Sequence, residues 1–123
     1  MNEYKVTILG AGLAGCEAAL WLAGKGVQVM IGVAESHGRE DTMRLIGRLP
    51  RLPMKKMAYR GVQMEEFDLE EALRVKPQLI LVDELAHTNV PGMRHRKRYQ
   101  DVEDLLAAGI DVYTCLLYTS DAA

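Results

Sequence analysis

The chain is expected to fold as a three-layer α/β unit on a mostly parallel sheet, and three observations lead there. Apolar runs suited to strands alternate with helix-like segments from one end to the other, which implies parallel strands joined by helical crossovers. Leu79, Ile80, Leu81 and Val82 are four consecutive aliphatic residues with no polar face, the pattern of a central strand covered on both sides. A third signal is GAGLAG, with Gly10, Gly12 and Gly15 set between a strand-like run and an Ala- and Leu-rich helix.

Bulk properties bound the answer. With 123 residues the chain forms one domain and buries roughly two thirds of its unfolded surface. Its 15 basic and 17 acidic residues nearly balance, which argues against a whole-surface nucleic-acid binder. No apolar run approaches the ~18 residues of a membrane span, and the amino terminus lacks the basic flank and apolar core of a signal peptide. The segment is therefore expected to be soluble and cytoplasmic. Cys16 and Cys115 are too few and too separated for a disulfide framework or a metal cage.

Taken in order, Tyr4 to Leu9 reads as the first strand and Ala14 to Lys25 as a helix stopped by Gly24 and Gly26. Val27 to Val33 is the second strand. This strand, GxGxxG, helix and strand series has the length of a dinucleotide fingerprint. The first Gly makes the tight turn, the second admits a pyrophosphate against the backbone, and the third lets helix and strand pack closely. The helix amino terminus would offer free N–H groups and a positive dipole end to phosphate. The acid expected at the end of the second strand is replaced by Gly32 and Val33, with Glu35 just beyond as a substitute. The alternative is a glycine turn used only for packing. FAD or NAD is the cofactor this fingerprint suggests.

ESHGRED follows, with His37 and Arg39 at the carboxyl edge of that strand, or with Ser36 or Asp41 merely capping a short helix over Thr42 to Gly47. Leu49 to Arg60, with Pro50 and Pro53, reads as a turn and a short edge strand, where proline and lysine are tolerated. Seven cations lie between Arg39 and Arg60, a solvated face or a surface for an anionic ligand, offset by the acidic EEFDLEE. Asp68 to Arg74 is a helix with Asp68 as its amino cap, Glu71 three positions on, and Leu69, Ala72 and Leu73 inward. Pro77 breaks it.

The central strand ends on Asp83 and Glu84, where open α/β sheets bind ligands. A hydrophobic strand ending in Asp is the Walker B arrangement, with the carboxylate on Mg²⁺ and the neighbouring Glu positioned to orient water. The plainer alternative is an Asp that tolerates a turn. His87, Thr88 and Asn89 precede the Pro91-Gly92 turn, and a His in such a loop also serves as a hydrogen-bonding scaffold. Arg94, His95, Arg96, Lys97 and Arg98 gather cations suited to phosphate, or form an exposed turn or docking patch. No aromatic ladder accompanies them, which lowers the nucleic-acid reading. Gln100 to Ala108 is helical, with Val102, Leu105 and Leu106 inward and Gly109 as the stop, and Ile110 to Tyr113 is the last strand.

LILVDELAHTNVPGMRHRKRYQDVEDLLAAGIDVYT resembles the amino-terminal cytoplasmic domain of the KdpD-type sensor histidine kinases, which regulate potassium uptake in bacteria. GVQVMIGVAESHGREDT and LPRLPMKKMAYRGVQMEEFDLEEAL fit the same family in the same order, so the resemblance runs from near Gly26 to Thr114. It implies a P-loop or Rossmann-like nucleotide-binding fold that binds ATP with Mg²⁺. Within that frame Glu35, His37, Arg39, Asp83, Glu84, His87, Thr88, Arg94 and Arg98 border the phosphates, and Asp83 holds the metal. It also implies partners, namely the remaining domains of a sensor kinase in the bacterial inner membrane and its response regulator. The phosphoacceptor helix and kinase domain have no counterpart here, so no phosphotransfer by this chain is expected.

The family's Walker A loop, GxxxxGK[ST], is replaced. VTILGAGLAGCEAALWLAGKGVQV instead resembles the flavin-binding start of the folate- and FAD-dependent tRNA uracil-5-methyltransferases, so two families join near Gly26 to Ile31. Residues 1–114 are read as one domain, left incomplete where the family would continue. The tail CLLYTSDAA resembles translated adapter sequence and carries no assigned function.

Overall fold

A computed structural model describes residues 8–9, 12–34, 44 and 47–114, with side chains from Glu17 onward. Six strands and three helices occur among them: β1 (Ile8–Leu9), α1 (Gly12–Gly24), β2 (Val29–Val33), β3 (Lys55–Tyr59), β4 (Val62–Glu66), α2 (Leu69–Val75), β5 (Leu79–Val82), α3 (Arg98–Ala107) and β6 (Asp111–Thr114). Four strands form a parallel sheet in the order β1-β6-β5-β2. β3 and β4 form a separate antiparallel pair.

Side-chain alternation divides the sheet into two faces. Leu79 and Leu81 of β5 join Val29, Ile31 and Tyr113 beneath Ala19, Leu22 and Ala23 of α1. Ile80 and Val82 turn to the other face, where they meet Leu69 and Ala72 of α2 and Val102 and Leu105 of α3. Every residue of β5 is buried, as its unbroken aliphatic run requires. The three-layer, mostly parallel architecture is thus present.

β2 lies at one end of the sheet, and its outer edge is partly covered. Ile31 donates to the Pro50 carbonyl at 2.8 Å and accepts from Leu52 N at 2.8 Å. The register slips between Ile31 and Val33, and Gly32 sits in that slip. A Cβ on Gly32 would stand 2.6 Å from the Phe67 ring and 3.0 Å from Ile80 Cδ1. Phe67 occupies the space that this glycine leaves.

The expected short edge strand within Leu49 to Arg60 is β3, but it pairs with β4, a strand not anticipated, rather than extending the parallel sheet. The joining residues Arg60 (φ 53°) and Gly61 (φ 77°) both take the left-handed conformation that a two-residue primed hairpin turn demands. Cross-strand pairs Tyr59 with Val62 and Met57 with Met64 set the register.

Local signals mark the helices correctly. Asp68 Oδ1 accepts from Glu71 N at 3.1 Å, which satisfies one of the free amides at the start of α2. α3 begins at Arg98, two residues before the expected Gln100, because Gln100 Oε1 reaches back to Lys97 N at 2.9 Å and starts the helix inside the basic run. Leu106 faces solvent with 45 % exposure, a correction to its expected inward position. Val102 and Leu105, three apart, complete the inward stripe. The expected helix over Thr42 to Gly47 and the start of the first strand lie largely outside the described residues.

Candidate functional site

The carboxyl ends of β2, β5, β6 and β1 all lie along one edge of the sheet, because all four strands run parallel. β5 delivers Asp83 there, 7 % exposed, with its amide donating to the Val33 carbonyl of β2 at 2.9 Å. Glu84 follows with φ 58°, a left-handed conformation that a residue with Cβ adopts rarely. That twist turns the chain sharply away from the strand. α1 starts at Gly12, three positions beyond Leu9 of β1, so its amino terminus belongs to the same edge.

The loop from Asp83 to Arg98 is held by a buried polar network. Glu66, the last residue of β4, is 1 % exposed. Its Oε2 accepts from Val90 N at 2.9 Å, and its carboxylate meets His87 Nε2 at 2.8 Å. Arg98, 2 % exposed, donates from Nη2 to Glu66 Oε1 at 3.2 Å and from Nη1 to the Asp83 carbonyl at 3.2 Å. Glu84 Oε1 lies 3.8 Å from the same Nη1. One guanidinium therefore ties the hairpin base to the corner at the end of β5.

A second network braces the far side of the loop. Asn89 Nδ2 donates to the His95 carbonyl at 3.0 Å and to Asp101 Oδ2 at 3.1 Å. Lys97 Nζ donates to Thr88 Oγ1 at 2.6 Å and to the Ala86 carbonyl at 3.1 Å. His95 Nε2 meets Asp104 Oδ2 at 2.8 Å, and Arg94 bridges Glu70 at 3.2 Å. The hydrogen bond from His95 holds the Asp104 carboxyl below the usual carboxylate range.

Burial acts the other way on Asp101, pushing its carboxyl above the ordinary value of 3.8 against the opposing pull of Asn89 and the nearby cations. A raised carboxyl pKa means that the fold binds this proton more tightly than the unfolded chain does. The resulting penalty is absent well below pH 3.8 and grows as pH rises through the folded-state value. Asp101→Asn keeps an acceptor for Asn89 and abolishes the titration. Its urea-unfolding stability should match the parent in acid and exceed it at neutral pH; a difference independent of pH would contradict this.

The residues expected at the site divide into three groups. Asp83 and Glu84 stand at the carboxyl edge, and Gly12 and Gly15 lie in α1 behind it. His87, Thr88, Arg94 and Arg98 are engaged within the loop network, His87 and Arg98 on Glu66, Thr88 on Lys97, and Arg94 on Glu70 and Asp104. Gly10, Glu35, His37 and Arg39 lie outside the described residues. The basic run is dispersed over separate partners, with Arg96 exposed.

Glu66 was not anticipated as a functional residue. Its parity along VQMEE, shared with Met64 on one hairpin face, and the buried Phe67 after it are the only local hints. Thr114, closing β6 at the same edge as Asp83, was also unforeseen. It is 3 % exposed, and its Oγ1 has no hydrogen-bond partner among the described residues.

Known proteins match most of the chain. The family model described as "KdpD: Osmosensitive K+ channel His kinase sensor domain" matches residues 8–118, a span that takes in β1 and α1 as well as the stretch from Gly26. The Escherichia coli sensor protein KdpD is 55 % identical over 93 residues, covering 76 % of this chain and 10 % of its own length. The Clostridium acetobutylicum sensor protein KdpD is 52 % identical over 99 residues, 80 % of this chain and 11 % of that one. A putative sensor protein KdpD of Synechocystis is 50 % identical over 92 residues, 75 % of this chain and 25 % of that protein. The chain thus spans between a tenth and a quarter of these relatives' lengths, and no helix among its described residues is long and apolar enough to cross a membrane. With the family model matched over most of its length, the chain belongs to the KdpD sensor-domain family.

Proposed function

We propose that this domain is the cytoplasmic, nucleotide-responsive input module of a sensor histidine kinase that controls potassium uptake, and that it holds a Mg²⁺-bound nucleoside triphosphate along the carboxyl edge of its parallel sheet. The observation that carries the reading is Asp83, delivered by a fully buried central strand to the edge where α1 begins. Among the described residues no three His, Cys, Asp or Glu side chains gather as a metal cage. Magnesium bound with a phosphate suits such an edge, since it takes one or two carboxylates and fills its remaining positions with water and phosphate oxygens.

In this role Asp83 would carry the ion, α1 would face the phosphates with its free amides, and Glu84 would orient water. Arg98 acts as a positioning residue through the Asp83 carbonyl. The chain lacks a GxxxxGK[ST] run, so no lysine is supplied to the β and γ phosphates, and weak binding follows. Its partners would be the other domains of the kinase and, through them, a response regulator; the module itself transfers no phosphate.

Strand order favours a mononucleotide over FAD or NAD. The doubly wound dinucleotide fold sets its first two strands side by side, whereas here β6 and β5 stand between β1 and β2. The purified chain should be colourless and indifferent to added FAD; yellow absorbance that copurifies would overturn this choice.

Calorimetric titration with ATP, with and without Mg²⁺, tests the proposal. Binding should strengthen with Mg²⁺ and lose about tenfold or more in Asp83→Asn, the loss of one charge-assisted contact. Equal binding by both proteins would refute it.

A further inference from the structure

The register of the sheet brings an unused hydroxyl to the proposed site. β6 lies between β1 and β5, with Thr114 paired to Leu9 on one side. On the other side Ile80 pairs with Val112 and Leu81 with Tyr113, so Thr114 stands level with Val82, one residue before Asp83. Alternation puts Thr114 on the face of Val112 and Val82, at the rim of the apolar cluster that those two residues help to build.

A hydroxyl in that position has a definite energetic consequence. Thr114 is 3 % exposed, and its Oγ1 meets no hydrogen-bonding group among the described residues. Leaving a buried hydroxyl unsatisfied costs about 1–3 kcal/mol, and valine would fill the same volume without that loss. β-branching suits the strand in either case. Packing therefore supplies no reason for oxygen at this position, whereas a ligand along the edge does. The start of α1 lies three positions beyond Leu9, the partner of Thr114, and Asp83 follows the residue level with it on the opposite side.

We propose that Thr114 is a ligand-binding residue of the carboxyl-edge site, its hydroxyl donating to a phosphate oxygen of the bound nucleotide. This rests on the nucleotide reading above and adds a contact from β6, the strand that stands between β1 and the strand that delivers Asp83. A hydroxyl here is neutral, so it contributes through a directed hydrogen bond to an anion and not through net charge.

The test combines two readouts on the full chain, with Thr114→Val and Thr114→Ser beside the parent. In thermal melts without nucleotide, Thr114→Val should unfold at or above the parent's temperature, because it removes an unpartnered buried hydroxyl. A fall of several degrees would mean that the hydroxyl is satisfied within the fold, and would overturn the inference whether or not nucleotide binds. In titrations with Mg²⁺ and ATP, Thr114→Val should bind about tenfold more weakly and Thr114→Ser within about twofold of the parent. Parent-like binding by Thr114→Val, with the Asp83→Asn loss intact, would sink the role of Thr114 and leave the site standing. Failure of the parent itself to bind ATP would remove both.

Discussion

Arg98→Ala is expected to lower folding stability by about 3–5 kcal/mol, the usual consequence of removing one partner from a buried ion pair. Glu66 would keep its bonds from Val90 N and His87 but lose the cation that compensates its charge in a site closed to water. The burial of both charges was itself unfavourable, so removing them together is expected to do less harm than removing one. Glu66→Gln with Arg98→Met should therefore be more stable than Arg98→Ala alone. Urea unfolding of the parent and these two variants tests this ordering; a loss below about 1 kcal/mol for Arg98→Ala would show that the pair contributes little. The substitution should also loosen the Asp83–Glu84 corner, because Arg98 holds the Asp83 carbonyl. Faster amide exchange in that loop, beyond the change in the sheet, would report it.

Phe67→Ala is expected to have a comparable effect, about 3–5 kcal/mol, through the cavity it opens. Phe67 follows Glu66 directly and is 1 % exposed, seated between Ile80 and the backbone of β2 at Gly32. The hairpin is thus anchored to the sheet by two consecutive residues, one through an ion pair and one through its ring. Gly32→Ala should lose about 1–3 kcal/mol in the parent by overpacking against that ring. In the Phe67→Ala background the same added methyl should be nearly neutral or stabilising. Equal losses in both backgrounds would mean that the glycine serves backbone conformation and not the ring.

These two anchors show where sequence reasoning reached its limit. The central strand was legible because four adjacent aliphatic residues state their own environment, and the Asp68 cap because its acceptor and donor lie three positions apart. The glycine-led helix and the alternation of strands and helices were legible for the same local reason. Glu66 and Arg98 lie 32 positions apart, and each sits in a charged stretch that reads as solvated surface. Nothing local distinguishes the one buried carboxylate of EEFDLEE from its exposed neighbours except its parity in a strand that was itself unrecognised. The hairpin was missed because Arg60 stands where Asn or Asp usually marks a primed turn. The basic run invited a collective reading, yet its members engage different partners, Arg94 on Glu70, His95 on Asp104, Lys97 on Thr88 and Arg98 on Glu66. Thr114 could not be singled out, since an unsatisfied hydroxyl is a property of surroundings assembled from three strands.

Ligand binding along the carboxyl edge can be read residue by residue from backbone amide chemical shifts during titration with Mg²⁺ and a nonhydrolysable ATP analogue. Saturable changes should concentrate at Gly12, Ala34, Asp83, Glu84 and Thr114 and be abolished by Asp83→Asn. Changes confined to the β3–β4 hairpin and Arg96, with that edge unmoved, would contradict it.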